Sequence, residues 1–285
     1  MGSQISKLDR PSVDVRLLTF LEQRKRDLDR RLPEWARRSN PIVRRHLGIY
    51  WKTLLPEARP LLTMYLVQVI LVALSYPFPI LFDLAMPMIT ASIILLPLAI
   101  LIYGRLLIAI GVSSAEMIVD EQKKNTLTLL RATPIPLKDI LLSKMAASIW
   151  RQVEDLGLLL MAALAFSLPL LILQYASLWP LDQYPVVARA AMALGLAASL
   201  VRLLVEPLMV GALGIMAGAA LPYRNWARAS VTVLTLFYFL LINLPRRLPM
   251  AWEMRAVVEI VLPLILPVLI AWVAFRLAHH ALLRD

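Results

Sequence analysis

The sequence predicts an all-α, polytopic membrane protein, and three observations carry that reading. Of its 285 residues, 60% are hydrophobic and mean hydropathy is +0.71, whereas a soluble domain is roughly half apolar. The apolar residues gather into runs near or above the roughly 20 needed to cross a bilayer. Charged residues gather as well, chiefly into two stretches, 1–60 and 113–146. The chain therefore divides into a basic arm over 1–60 and a transmembrane domain over 61–285.

The arm holds fourteen Lys and Arg against seven Asp and Glu, an excess of +7 out of a net +11 for the whole chain. Basic charge placed just before a first span marks a cytoplasmic segment and a surface drawn to anionic lipids. The charge is a topological signal, and no nucleic-acid reader motif accompanies it. Val13, Leu17, Phe20, Leu21, Leu28 and Leu32 recur at helical spacing and predict an amphipathic helix ending near Pro33. A second helix is expected after Asn40, a capping residue, with Pro41 in its first turn. Its Ile42, Val43, Leu47, Tyr50, Trp51, Leu54 and Leu55 beside Arg44, Arg45 and Lys52 predict an interfacial helix lying along the membrane.

Six spans follow, at 61–82, 86–112, 147–174, 186–220, 228–244 and 256–278, the first two joined by a Phe82-Asp83 turn. An even number returns both termini to the same, cytoplasmic side, together with Lys123, Lys124, Arg131, Arg224, Arg228, Arg276 and Arg284. Arg246 and Arg247 fall outside and break the charge rule. Between spans two and three, Glu116, Asp120, Glu121, Lys123 and Lys124 precede Leu127, Leu129 and Leu130 on one amphipathic helix. Pro134-Ile135-Pro136 ends it, and Leu137 to Met145 restarts a helix into the third span. Physical chemistry alone leaves this element either a solvated connector or a rigid partner contact.

Several functions lack their parts. There is no cysteine and only His46, His279 and His280, so thiolate chemistry is absent and adjacent His279-His280 point apart on a helix. No GxxxxGK[ST] phosphate loop occurs, and no GxSxG or HExxH motif. Within the spans, Arg202 and Glu206 stand i, i+4 and face one another. Ionisable groups at such depth mark a substrate path, a subunit contact or a purely structural pair. Arg105 is read near the cytoplasmic end of span two, where its side chain can snorkel. Gly211, Gly214 and Gly218 permit close helix approach, either as a dimer seam or as internal packing.

The stretch from Glu121 to Pro136, with Thr126-Leu127-x-Leu129-Leu130, Thr133-Pro134-x-Pro136, Lys138-Asp139-Ile140-Leu141 and Lys144, resembles the cytosolic loop of type-2 ATP-binding-cassette (ABC) exporter permeases. Asn40-Pro41 with Arg44-Arg45 is similar to the Asn-Pro-x-x-x-Arg-Glu opening of many bacterial members, Arg45 standing where Glu is frequent. Asn125 and Ser143 stand where the family usually carries glycine. The resemblance implies a six-helix permease in a bacterial inner or plasma membrane, with a cytosolic coupling helix between spans two and three. It further implies an ATPase docked on Glu121, Thr126, Leu127, Leu130, Thr133, Pro134, Ile135 and Pro136, with ATP and Mg on that partner chain, and a second permease, identical or homologous. Two other classes stay open: a non-transport membrane scaffold or assembly protein, and an ion-coupled secondary transporter.

Overall fold

The computed structural model describes residues 29–48, 58–126, 132–164 and 184–284, together with Gln23 and Leu129. Helices make up the fold, and no strand occurs among the described residues. They are α1 (Pro41–Leu47), α2 (Ala58–Leu74), α3 (Ile80–Lys123), α4 (Leu137–Trp150), α5 (153–164), α6 (Pro185–Ala220), α7 (Arg224–Asn243), α8 (Trp252–Ala256) and α9 (Leu262–Arg284). A π-helical turn, Val257–Val261, joins α8 to α9.

Four segments are long and apolar enough to cross a membrane: Pro97–Lys123 within α3, Pro185–Ala220, Arg224–Asn243 and Met254–Leu283. They correspond to four of the six expected spans. The expected first span is the shorter apolar helix Arg59–Leu74. The expected third span begins in α4, turns at Arg151 and Gln152, resumes as α5, and continues outside the described residues. The turn between α2 and α3 lies at 75–79 rather than at Phe82-Asp83. Pro77 and Pro79 lack the N–H that would continue the helix, whereas Asp83 sits in the first turn of α3, where a carboxylate suits the helix dipole. The charge was the weaker punctuation.

α3 runs unbroken for 44 residues, so residues 113–123, expected as part of a cytosolic amphipathic helix after span two, are helical but continue that span without a break. The helix closes at Lys123, and Asn125 adopts φ 53°. That left-handed residue interrupts the single amphipathic helix expected through Leu130.

α6 is the central helix, more than half buried along its most apolar stretch, against 17% for the last span. It crosses α3 where Gly111, Gly214 and Gly218 meet. A Cβ on Gly214 would come within 2.1 Å of the Gly111 carbonyl oxygen, and one on Gly218 within 2.6 Å of that of Ala115. The glycine stripe is thus spent on internal packing, Gly214 and Gly218 against α3 and Gly211 against Met145 of α4, not left free for a second copy. Leu107, Ala115, Ile118, Val210, Ile215, Val231 and Tyr238 surround the crossing. Gly214→Ala is expected to lower the thermal midpoint of the purified chain, overpacking of this kind costing about 1–3 kcal/mol. Gly104→Ala, whose added Cβ meets nothing within 4 Å, is the control. Equal midpoints for the two variants would mean that the helices do not approach this closely.

In the arm, the Asn40 side chain accepts a hydrogen bond from the Ile42 amide at 2.9 Å and Pro41 occupies the first helical position. α1 then ends at Leu47, with Gly48 at φ 53°. Its Val43 and Leu47 pack against Met117, Ala146, Ala147 and Trp150. The helix expected to lie along the membrane therefore turns its apolar face into the protein. Val13, Leu17, Phe20, Leu21 and Leu28, and Tyr50 to Leu55, lie outside the described residues.

Candidate functional site

Two polar constellations are built into this apolar molecule. The first lies at the charged end of α3. Glu121 and Lys144, 23 residues apart across the 124–136 segment, form a buried ion pair in which the lysine ammonium donates to Oε2 of the carboxylate. Lys144 also lies 3.4 Å from the Met117 carbonyl oxygen. Burial pulls the Lys144 pKa below the usual lysine value, and the Glu121 charge acts against that fall. The second carboxylate oxygen of Glu121 is 3.5 Å from Nε2 of His46 on α1. One carboxylate thus joins α1, α3 and α4.

Further bonds reinforce the junction. Ser114 and Ser148 share a hydrogen bond at 2.6 Å. Asn40 donates to the Ser143 hydroxyl at 3.3 Å, and the Trp150 indole donates to the Ala36 carbonyl at 2.9 Å. Arg151 donates to the His46 carbonyl and to the Ser113 hydroxyl, while the Arg38 guanidinium stacks 4.7 Å above the Trp150 ring. From α7, Arg224 and Arg228 both reach Glu116. A cavity of about 320 Å³ lies among these groups, walled by Arg45, His46, Glu116, Asp120, Lys124 and Arg151 among others.

Above this base, the described residues of the 124–136 segment are mostly exposed. Leu129 is 70% exposed, and Thr133, Pro134 and Pro136 are exposed, with Ile135 half-buried. Thr126 donates to the Glu121 carbonyl at 3.4 Å. Leu127 and Leu130 lie outside the described residues. Glu121 departs from the expectation that groups it with the contact residues: its side chain is 4% exposed and turned into the chain, where it supports the segment from beneath. Asn125 and Ser143 are each accommodated locally. Asn125 holds a left-handed conformation that Asn tolerates better than most residues, and Ser143 is fully buried and bonded by Asn40.

The second constellation is inside the span bundle. Glu206 on α6 is completely buried. Arg202 and the Tyr238 hydroxyl donate to one of its oxygens, and the Tyr103 hydroxyl donates to the other. The i, i+4 pair read in the sequence is therefore the α6 part of a four-residue knot linking α3, α6 and α7. Phe239 packs against both tyrosine rings. Arg105 stays apart, exposed on another face of α3. It lies 18 positions before Lys123, about 27 Å along the helix from its charged end.

A chain search for partners by local spacing misses both tyrosines, which lie 103 and 32 residues from Glu206. A polar hydroxyl set within an apolar span was the available signal. Arg246, one of the two arginines that break the charge rule, lies 3.6 Å from Glu259, a residue of the π-helical turn that is 5% exposed.

Comparison with protein-family models, curated proteins and solved structures finds no match. Function must be argued from these residues.

Proposed function

We propose that the chain is the permease subunit of an ATP-driven ABC exporter, working by alternating access with a separate ATPase seated on the 124–136 segment. The observation that carries this reading is a solvent-facing tip on a buttressed base. Leu129, Thr133, Pro134 and Pro136 project outward, while Ile140, Leu141, Ser143 and Lys144 directly beneath are fully buried. A push on such a tip is delivered as a rigid-body displacement. It reaches α3 through Glu121–Lys144 and Ser114–Ser148, then α6 at the glycine crossing and α7 through Glu116. In this reading ATP closes a pair of ATPase subunits, a second permease completes the complex, and the tip and both termini face the cytoplasm of a bacterial cell.

The test is retention of an ATPase by the tagged, full-length chain. Ile135→Asp and Leu130→Asp are expected to insert and purify at normal yield. Copurifying ATPase should fall with them, because truncating one anchor of an interface costs roughly 2 kcal/mol or more. If both variants keep the ATPase, or the unaltered chain brings none, the exporter reading fails.

One observation favours a second reading, an ion-coupled secondary transporter. Glu206 is a carboxylate held inside the spans by two hydroxyls and a guanidinium, the kind of group found on ion paths. Transport by the purified chain in vesicles under an ion gradient, with no ATPase present, would select it.

A further inference from the structure

A groove of about 280 Å³ opens where the end of α3 meets the α6–α7 turn, lined by Lys123, Tyr223, Arg224, Asn225 and Trp226. The lining offers two cations, an indole N–H, a phenol and an amide, and no carboxylate. The larger cavity nearby differs in this respect, since Glu116, Asp120 and Glu121 balance its basic residues. Lys123 makes no ion pair among the described residues. Arg224 is held in place by Glu116 at 2.8 Å yet remains 44% exposed.

The depth of this groove follows from the length of α7. Its 20 residues extend about 30 Å, the thickness of the hydrocarbon layer. With Asn243 at one boundary, Arg224 lies at the other and Trp226 about one half-turn inside it. Tyr223 and Trp226 are 65% and 68% exposed, so both rings face the surroundings of the bundle at the level where amphipathic aromatics meet lipid headgroups.

We propose that this groove binds the phosphate headgroup of an anionic phospholipid. Lys123 and Arg224 supply the charge, Tyr223 and the Trp226 indole supply hydrogen bonds, and the Trp226 ring lies beside the upper acyl chain. Charge complementarity and depth favour lipid over a protein occupant. The site stands on the membrane placement of α7 and is independent of any ATPase.

The experiment titrates the full chain, purified in a neutral detergent, with phosphatidylglycerol, phosphatidylcholine or inorganic phosphate, and reads the thermal midpoint and bound mass. Phosphatidylglycerol is expected to raise the midpoint saturably and to be retained, whereas the other two are not. Lys123→Gln with Trp226→Ala should weaken phosphatidylglycerol binding about fivefold or more. Lys138→Gln, an exposed lysine on α4, should leave it unchanged. If the paired variant fails to fold, Lys123→Gln alone carries the test and must still weaken binding. Equal responses to the two lipids, or full binding by the Lys123 variants, would overturn the site. A midpoint shift reproduced by inorganic phosphate would make it a free-anion site, and protection of Trp226 from radical footprinting only by a copurified protein would make it a protein contact; either result also overturns the proposal.

Discussion

Glu206→Ala is expected to cost the chain about 3–5 kcal/mol of stability, seen as lost monodisperse protein and a lowered thermal midpoint in detergent. The change strands the Arg202 guanidinium, 15% exposed, in a bundle that offers it no other carboxylate among the described residues. It also leaves the Tyr103 and Tyr238 hydroxyls without their acceptor, and an unsatisfied buried hydroxyl costs about 1–3 kcal/mol. Arg202→Ala should be milder, because the carboxylate keeps two tyrosine donors. The double variant Arg202→Ala with Glu206→Ala removes both charges at once. Its loss should be smaller than the sum of the single losses, which is the mark of a coupled pair. Additive losses would show that the two groups do not meet.

Lys144→Met should have an effect of similar size with a different functional consequence. Methionine preserves much of the volume of the lysine stem but leaves the Glu121 carboxylate buried beside His46 alone, a loss of about 3–5 kcal/mol. Adding Glu121→Gln removes the stranded charge and should recover much of the midpoint. The outward tip is untouched in these variants, so an ATPase should still copurify while transport falls. Ile135→Asp has the opposite signature, with the partner lost and the fold intact. A Lys144→Met chain that is stable and transports normally would rule out this pair as the link between tip and spans.

Features decided by neighbours in sequence were the legible ones. The Asn40 cap and Pro41 start could be read because a cap involves residues two apart. Span four, expected at 186–220, corresponds to the helix Pro185–Ala220, and span five, expected at 228–244, to Arg224–Asn243, because long, mainly apolar runs bounded by Pro185, Pro222 and Pro245 leave little choice. Arg202 and Glu206 were paired correctly because i, i+4 proximity is a property of the helix itself. The turn between α2 and α3 falls at Pro77 and Pro79 rather than at Asp83, because a helix accepts a carboxylate in its first turn more readily than a missing N–H in its interior.

What escaped was set by distant contacts. Glu121 and Lys144 read as surface charges flanking a loop, and their burial depends on helices distant in sequence, α1 among them through His46. The glycine stripe on α6 fits a second copy or an internal partner equally well until Gly111 is placed opposite it. Apolar residues of α1 likewise suit a membrane surface or the protein interior, and Trp150 on α4 decided for the latter.

The glycine crossing also limits how the molecule can move. At two points of that crossing, Gly214 against Gly111 and Gly218 against Ala115, the main chain of α6 comes directly upon carbonyl oxygens of α3, with no room for a side chain between. Sliding one helix past the other by a single residue would drive a Cα or Cβ into a carbonyl oxygen. The two therefore form one plate, free to tilt but not to shear.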